Sequence, residues 1–259
     1  MYITTGDHVR IAYRFDGAKH LPVLILSNSI GTSYHMWDGE VDVLSQHFRV
    51  LRYDARGHGE SGVPAGAYSL DRLGRDVLEM MDALGIQRAH FLGLSLGGFV
   101  GQWLGIHAPQ RIDRLILSNT AAQLGPASVF DERIAAVRAA SDMRETAEGF
   151  LANWFPKHML DAGGPVIDKF RAMLLATDRE GLAGLFAAVR DADLRRTIRL
   201  IEAPTLVIAG RDDTVTSAQH GADIAAAIPG ARLLTLPTVH LSNVESRQAY
   251  LNAVLHFLR

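Results

Sequence analysis

Ser95 lies at the centre of Gly93-Leu94-Ser95-Leu96-Gly97, with an apolar run, Ala89-His90-Phe91-Leu92, before it and a helix-forming stretch, Gly98 to Leu104, after it. G-x-S-x-G on its own is a common pattern. Between a strand and a helix it describes a turn so tight that side chains two residues either side of the serine would meet the backbone, hence Gly93 and Gly97. The helix N-terminus adds free N–H groups and a positive dipole end beside the hydroxyl, where negative charge develops during acyl transfer.

A serine hydroxyl is a poor nucleophile until a base takes its proton, and histidine is the side chain suited to that task. In this motif's setting the partners follow in the order serine, acid, histidine, which places the base beyond the last strand. Of eleven histidines, His240 occupies that place, four residues after Leu236 and just before the final helix. His220 and His256 fall within helices, and His58 belongs to an early loop. The acid belongs after the preceding strand, Thr205 to Ala209, where Gly210-Arg211-Asp212-Asp213 offers two aspartates. Asp213 is the choice, being placed past the turn so that it can face the histidine, and Asp212 reads as a solvated turn residue. The alternative acid position, after the strand before that one, holds Asn119, which carries no charge. Asp54 ends an earlier strand and is expected to pin the loop that follows it.

An oxyanion needs two preorganised donors. One is the N–H of Leu96, directly after the serine. The other is expected from the loop Ser27-Asn28-Ser29-Ile30-Gly31-Thr32, with Ile30 N–H as the candidate. The stretch Arg56-Gly57-His58-Gly59-Glu60-Ser61 reads as a structural turn without a catalytic part.

These residues need a frame. Short runs rich in Val, Ile and Leu recur at 23–26, 50–53, 90–94, 115–117, 205–209 and 232–236, as strands buried on both faces do, and 9–15 reads as an edge strand. Amphipathic helical stretches lie between them at 37–44, 69–84, 99–107 and 218–228, with a final helix over 244–258. This alternation predicts an α/β fold with a mostly parallel sheet between helical layers. Residues 1–119 and 200–259 form its core. From 120 to 199 no strand is visible while helical patterns recur, so this segment is expected to be a helical cap over the carboxyl ends of the strands, where ligands bind.

Composition narrows the chemistry. The chain has 259 residues, 48% apolar and 21% charged, with a net charge of -2 and no cysteine. A disulfide, a thiolate metal site and a cysteine nucleophile are excluded. No basic surface points to nucleic acid or an anionic membrane, and no signal peptide or membrane-length apolar run is visible. A cytoplasmic protein is the expectation.

Several segments together resemble the 3-oxoadipate enol-lactonases of the α/β-hydrolase superfamily: Leu26 to Thr32 with Met36-Trp37-Asp38, Phe48 to Asp54, Gly93 to Gly98, Ser118 to Ala122, and His240 to Glu245. Asn153-Trp154-Phe155 and Ala176 to Gly181 match as well. The loop Asn28-Ser29-Ile30-Gly31 is the telling part, because most relatives read His-Gly-x-Gly there. The resemblance implies an α/β-hydrolase fold with a helical lid. It also implies hydrolysis of 3-oxoadipate enol-lactone in bacterial breakdown of protocatechuate or catechol, a small lactone as substrate, and neither metal nor organic cofactor. The substrate carries a carboxylate, for which Arg133 is a candidate, and Trp154 is a candidate for the pocket wall. Rival readings are another carboxylesterase or C–C bond hydrolase on the same fold, or a non-catalytic ligand-binding relative.

Overall fold

The computed structural model describes residues 1–259. Eight strands form one sheet in the order β1-β2-β4-β3-β5-β6-β7-β8. They are β1 (Tyr2–Thr4), β2 (Arg10–Asp16), β3 (Val23–Ser27), β4 (Arg49–Tyr53), β5 (Ala89–Leu94), β6 (Ile112–Ser118), β7 (Thr205–Gly210) and β8 (Arg232–Leu236). β2 alone runs against the rest, pairing antiparallel with both β1 and β4; β3 to β8 pair in parallel. The expected α/β architecture is present, and β1 is an additional edge strand whose three residues carry too little pattern to be read.

Successive residues of the central strands enter different cores. Ile25, Leu51, Phe91, Leu115, Leu117 and Val207 face one side, and Leu24, Val50, Leu92, Ile116, Leu206 and Ile208 the other. Both faces are therefore dry, which is why these strands read as continuous apolar runs. Helices α2 (Leu70–Ala83), α3 (Leu96–His107) and α9 (Ala218–Ala227) cover the first face; α1 (Asp38–Leu44) and α11 (Arg247–Leu258) cover the second. Ser69 caps α2 by accepting the Arg72 N–H at 3.1 Å. The final helix is broken: α10 (Ser242–Glu245) ends at Ser246, whose backbone (φ -121°, ψ 49°) leaves the helical region before α11 begins.

Between β6 and β7 the chain makes five helices, α4 (Ala127–Ala139), α5 (Arg144–Trp154), α6 (Lys157–Ala162), α7 (Pro165–Leu175) and α8 (Arg179–Asp191). The short α6 was not expected from the sequence. The start of α8 is seated on the sheet domain backbone to backbone. A Cβ on Gly181 would stand 2.1 Å from the Gly57 carbonyl oxygen, so only glycine permits the approach.

Candidate active site

Six loops follow the carboxyl ends of the parallel strands β3 to β8, each carrying a residue singled out above. Ser95 follows β5 and has φ 57° and ψ -114°, a strained backbone outside the helical region. The turn tolerates this because its neighbours lack side chains: a Cβ on Gly93 would lie 2.0 Å from Gly97 O, and one on Gly97 would lie 2.2 Å from Ser27 O. Ser95 N donates to Ser118 O at 3.0 Å, and Thr120 Oγ1 donates to Ser95 O at 2.8 Å, so the turn is held from β6.

Asp213 lies beyond β7 and His240 beyond β8, both buried, with Nδ1 of the imidazole 2.8 Å from Asp213 Oδ2. The same Oδ2 accepts from Thr216 Oγ1 at 2.8 Å and Asn119 Nδ2 at 3.2 Å. Oδ1 accepts the N–H groups of Val215 at 2.8 Å and Thr216 at 3.0 Å. Burial pushes this carboxyl up, but the His240 bond and charge, the Thr216 N–H and Asn119 outweigh it, and its pKa lies below the ordinary value. Asp213 therefore stays ionised and fixes the ring so that Nδ1 carries the proton and Nε2 is free. Asp212, by contrast, is exposed and paired with Arg211. The histidine loop is tied on both sides: Val239 N donates to Glu245 Oε2 at 2.7 Å, and Leu241 N to Trp154 O at 3.4 Å.

Ser95 and His240 line one cavity of about 660 Å³, with Ile30, Leu96, Trp154 and Arg133 also in its wall. The hydrogen bond from Ser95 Oγ to His240 is not closed in this arrangement.

Accounting for the donors of the loop from Ser27 to Thr32 singles out Ile30. Ser29 N–H goes to Met36 Sδ at 3.2 Å, Gly31 N–H to His58 Nε2 at 2.8 Å and Thr32 N–H to Ser29 O at 3.3 Å. Ile30 N–H has no acceptor in the protein. Nor has Leu96 N–H, the first of α3, where no earlier turn of helix exists to take it. Asn28 holds the loop's base: it donates to Tyr53 O at 2.8 Å and accepts Trp37 Nε1–H at 2.9 Å.

Trp154 is both wall and core, 1% exposed and packed edge-on to Phe170. Arg133 projects from α4 with its guanidinium 5.4 Å from the Phe130 ring centre, and it is the only Lys or Arg in the cavity wall. Asp54 does pin its loop, accepting Tyr34 N–H at 2.6 Å and Glu60 N–H at 2.9 Å. Sequence reasoning passed over Thr216 and the contact of His58 with Gly31. The threonine could have been found by its closeness to Asp213; nothing in the sequence links positions 31 and 58. No helix of the structure is long and apolar enough to cross a membrane.

Comparison with known proteins agrees with this fold. The sequence profile of the alpha/beta hydrolase fold matches residues 22–164. The chain is 37% identical over 250 residues to 3-oxoadipate enol-lactonase 2 of Acinetobacter baylyi, covering 96% of this chain and 93% of that protein. A crystal structure of a hydrolase from Pseudomonas aeruginosa PA01 superposes with a TM-score of 0.99 at 65% identity, covering 100% of this chain and 97% of the other. The enol-lactonase of Burkholderia xenovorans LB400 does so with a TM-score of 0.97 at 40% identity, covering 100% and 99%. The resemblance to the enol-lactonases seen in the motifs thus extends along the whole chain, and with this sheet, this turn at Ser95 and these relatives the chain belongs to the α/β-hydrolase family, as an ester hydrolase.

Proposed function

We propose that this hydrolase opens 3-oxoadipate enol-lactone to 3-oxoadipate through an acyl-enzyme on Ser95. The observation that carries the reading is the convergence of three things on one cavity: a serine at a strained turn, an imidazole held by an ionised carboxylate, and two N–H groups without acceptors. Similarity to proteins named enol-lactonases supports the substrate.

His240 Nε2 takes the Ser95 proton as Oγ attacks the lactone carbonyl, and Asp213 stabilises the imidazolium that results. The carbonyl oxygen becomes an oxyanion that Ile30 and Leu96 N–H receive. Collapse of the intermediate breaks the ring C–O bond, and His240 returns its proton to the departing enol oxygen. The enol becomes a ketone. Water, deprotonated by His240, then attacks the acyl carbon, and Ser95 recovers the proton as the carboxylate leaves. Atoms balance as lactone plus water giving a 3-oxo diacid.

Arg133 is assigned to the carboxylate of the substrate, and Trp154 to the wall against its ring. A cytoplasmic place in aromatic breakdown follows from the same resemblance. The decisive test follows loss of the enol-lactone ultraviolet absorbance, with p-nitrophenyl acetate in parallel. A lactonase prefers the anionic lactone by orders of magnitude in kcat/KM, and equal or reversed preference overturns the assignment.

A second reading has one observation in its favour. A lactone of about ten non-hydrogen atoms fills only part of a cavity in the size range of drug-sized ligand sites. A carboxylesterase of longer acyl esters uses the same residues, and p-nitrophenyl hexanoate turned over faster than the lactone is the result that favours it.

A further inference from the structure

His58 is a buried imidazole, 2% exposed, in a loop that the mechanism above does not use. Its Nε2 accepts the Gly31 N–H at 2.8 Å, across 27 residues of sequence. A nitrogen that accepts must keep its lone pair, so the ring is neutral with its proton on Nδ1. Burial acts in the same direction and lowers its pKa to about 4, against the pull of the Gly57 carbonyl and the Asp178 carboxylate.

The ring is held where it stands by a loop fixed on every side. Arg56, just before it, is buried in a double contact with Asp76 at 2.6 Å and a further pair with Asp7. Gly59, just after it, has φ 55°, and a Cβ there would lie 2.1 Å from Asp54 Oδ2. The cap closes the arrangement, with Gly181 against Gly57 and Thr177 Oγ1 3.5 Å from Gly31 O. His58 thus stands between the cap and the loop that carries Ile30.

We infer that His58 is a positioning residue for the oxyanion loop: as the neutral Nδ1–H tautomer it takes the Gly31 N–H and so sets the peptide turn that leaves Ile30 N–H uncommitted at the cavity. The role rests on the hydrolase reading given above. The Ser29–Ile30 peptide plane carries the Ile30 N–H and the Ile30–Gly31 plane carries the Gly31 N–H; they are joined at the Ile30 Cα, so the acceptor that fixes one restricts the other. No other buried acceptor takes that N–H.

The experiment compares His58→Leu, which fills the space without accepting, with His58→Gln, whose amide oxygen accepts. Readouts are kcat, KM and inhibition by an alkyl boronic acid, which forms an anionic tetrahedral adduct on Ser95. The expected result for His58→Leu is a loss on the order of 30-fold in kcat and a similar loss in boronate affinity, with KM within about threefold; losing an oxyanion donor outright costs about 100- to 1000-fold. His58→Gln recovers most of both. Unchanged kcat and boronate affinity in His58→Leu overturns the role, as does a loss that glutamine does not restore.

A second measurement needs neither folding of a variant nor turnover. Long-range ¹⁵N spectra of the wild-type imidazoles are expected to show His58 protonated at Nδ1, bare at Nε2, and not titrating between about pH 5 and 8. Protonation at Nε2, or titration inside that range, sinks the role even in an active enzyme. A wild-type chain with this tautomer but without turnover or boronate binding overturns the hydrolase reading and the catalytic part of the role with it.

Discussion

Thr216 places its hydroxyl 2.8 Å from the same Asp213 oxygen that faces His240 Nδ1 at 2.8 Å. One carboxylate oxygen thus serves the imidazole and its own anchor together. The five donors around Asp213 leave it no second orientation, and the imidazole inherits that rigidity. The His240 ring is aimed by a chain of hydrogen bonds that begins at the backbone of 215–216.

Replacing the carboxylate tests that chain. Asp213→Asn presents a donor or an uncharged acceptor to Nδ1 and is expected to lower kcat by about 10⁴, the scale known for such a change in a serine protease. Stability adds an independent check. The Asp213 pKa lies below its unfolded value, so its ionisation stabilises the fold above the ordinary carboxylate range, and this contribution is lost as pH falls through the depressed value. The wild type is therefore expected to lose its advantage over Asp213→Asn on acidification below about pH 4, read by urea unfolding at pH 7 and pH 3.

Ser95→Ala and His240→Ala are each expected to cost about 10⁶ in kcat, and the double variant little more, because these groups act as a unit. Steady-state turnover of the lactone gives all three values. If the double loss equals the product of the single ones, the two residues do not share a proton. Labelling by a fluorophosphonate probe is expected on the wild type and absent from Ser95→Ala.

Arg133 discriminates by substrate charge. Arg133→Met is expected to lower kcat/KM about tenfold for the anionic lactone, mostly through KM, with little effect on a neutral acetate ester. As an exposed cation it acts through a screened field, so the loss shrinks in 1 M salt. Equal losses on both substrates assign Arg133 to the shape of α4 rather than to a carboxylate.

Glu40 is buried in α1, and burial raises its pKa to about 7 against the pull of the Asn243 amide. Its Oε2 and both polar atoms of the Asn243 side chain lack partners. A raised carboxyl means that the fold keeps a proton which the unfolded chain has already released, so stability falls as pH rises from the ordinary carboxylate range through about 7. The contribution is on the order of 3 kcal/mol. Glu40→Gln, which keeps the shape without the ionisation, is expected to melt several degrees above the wild type at pH 8 and close to it at pH 5. Equal melting shifts at both pH values remove the assignment.

Much of this site is legible in the sequence because its constraints are local. Gly93 and Gly97 are forced by a turn five residues long, and the strands that carry the loops are apolar runs because both faces of the sheet are covered. What escaped notice is non-local or short. The bond from Gly31 to His58 joins two loops that only the pairing of β3 with β4 brings together. Strand β1 has three residues, α6 six, and the break at Ser246 falls inside a pattern that is apolar on one face throughout. Arg56-Gly57-His58-Gly59 reads as a turn, and it is one, but its histidine is spent on a neighbour's peptide.

The contact of Gly57 with Gly181 makes the seating of α8 intolerant of a single added carbon. Two backbones that touch without side chains between them fit in one spacing only, so a side chain added at 57 or 181 would lift the start of α8 off the sheet.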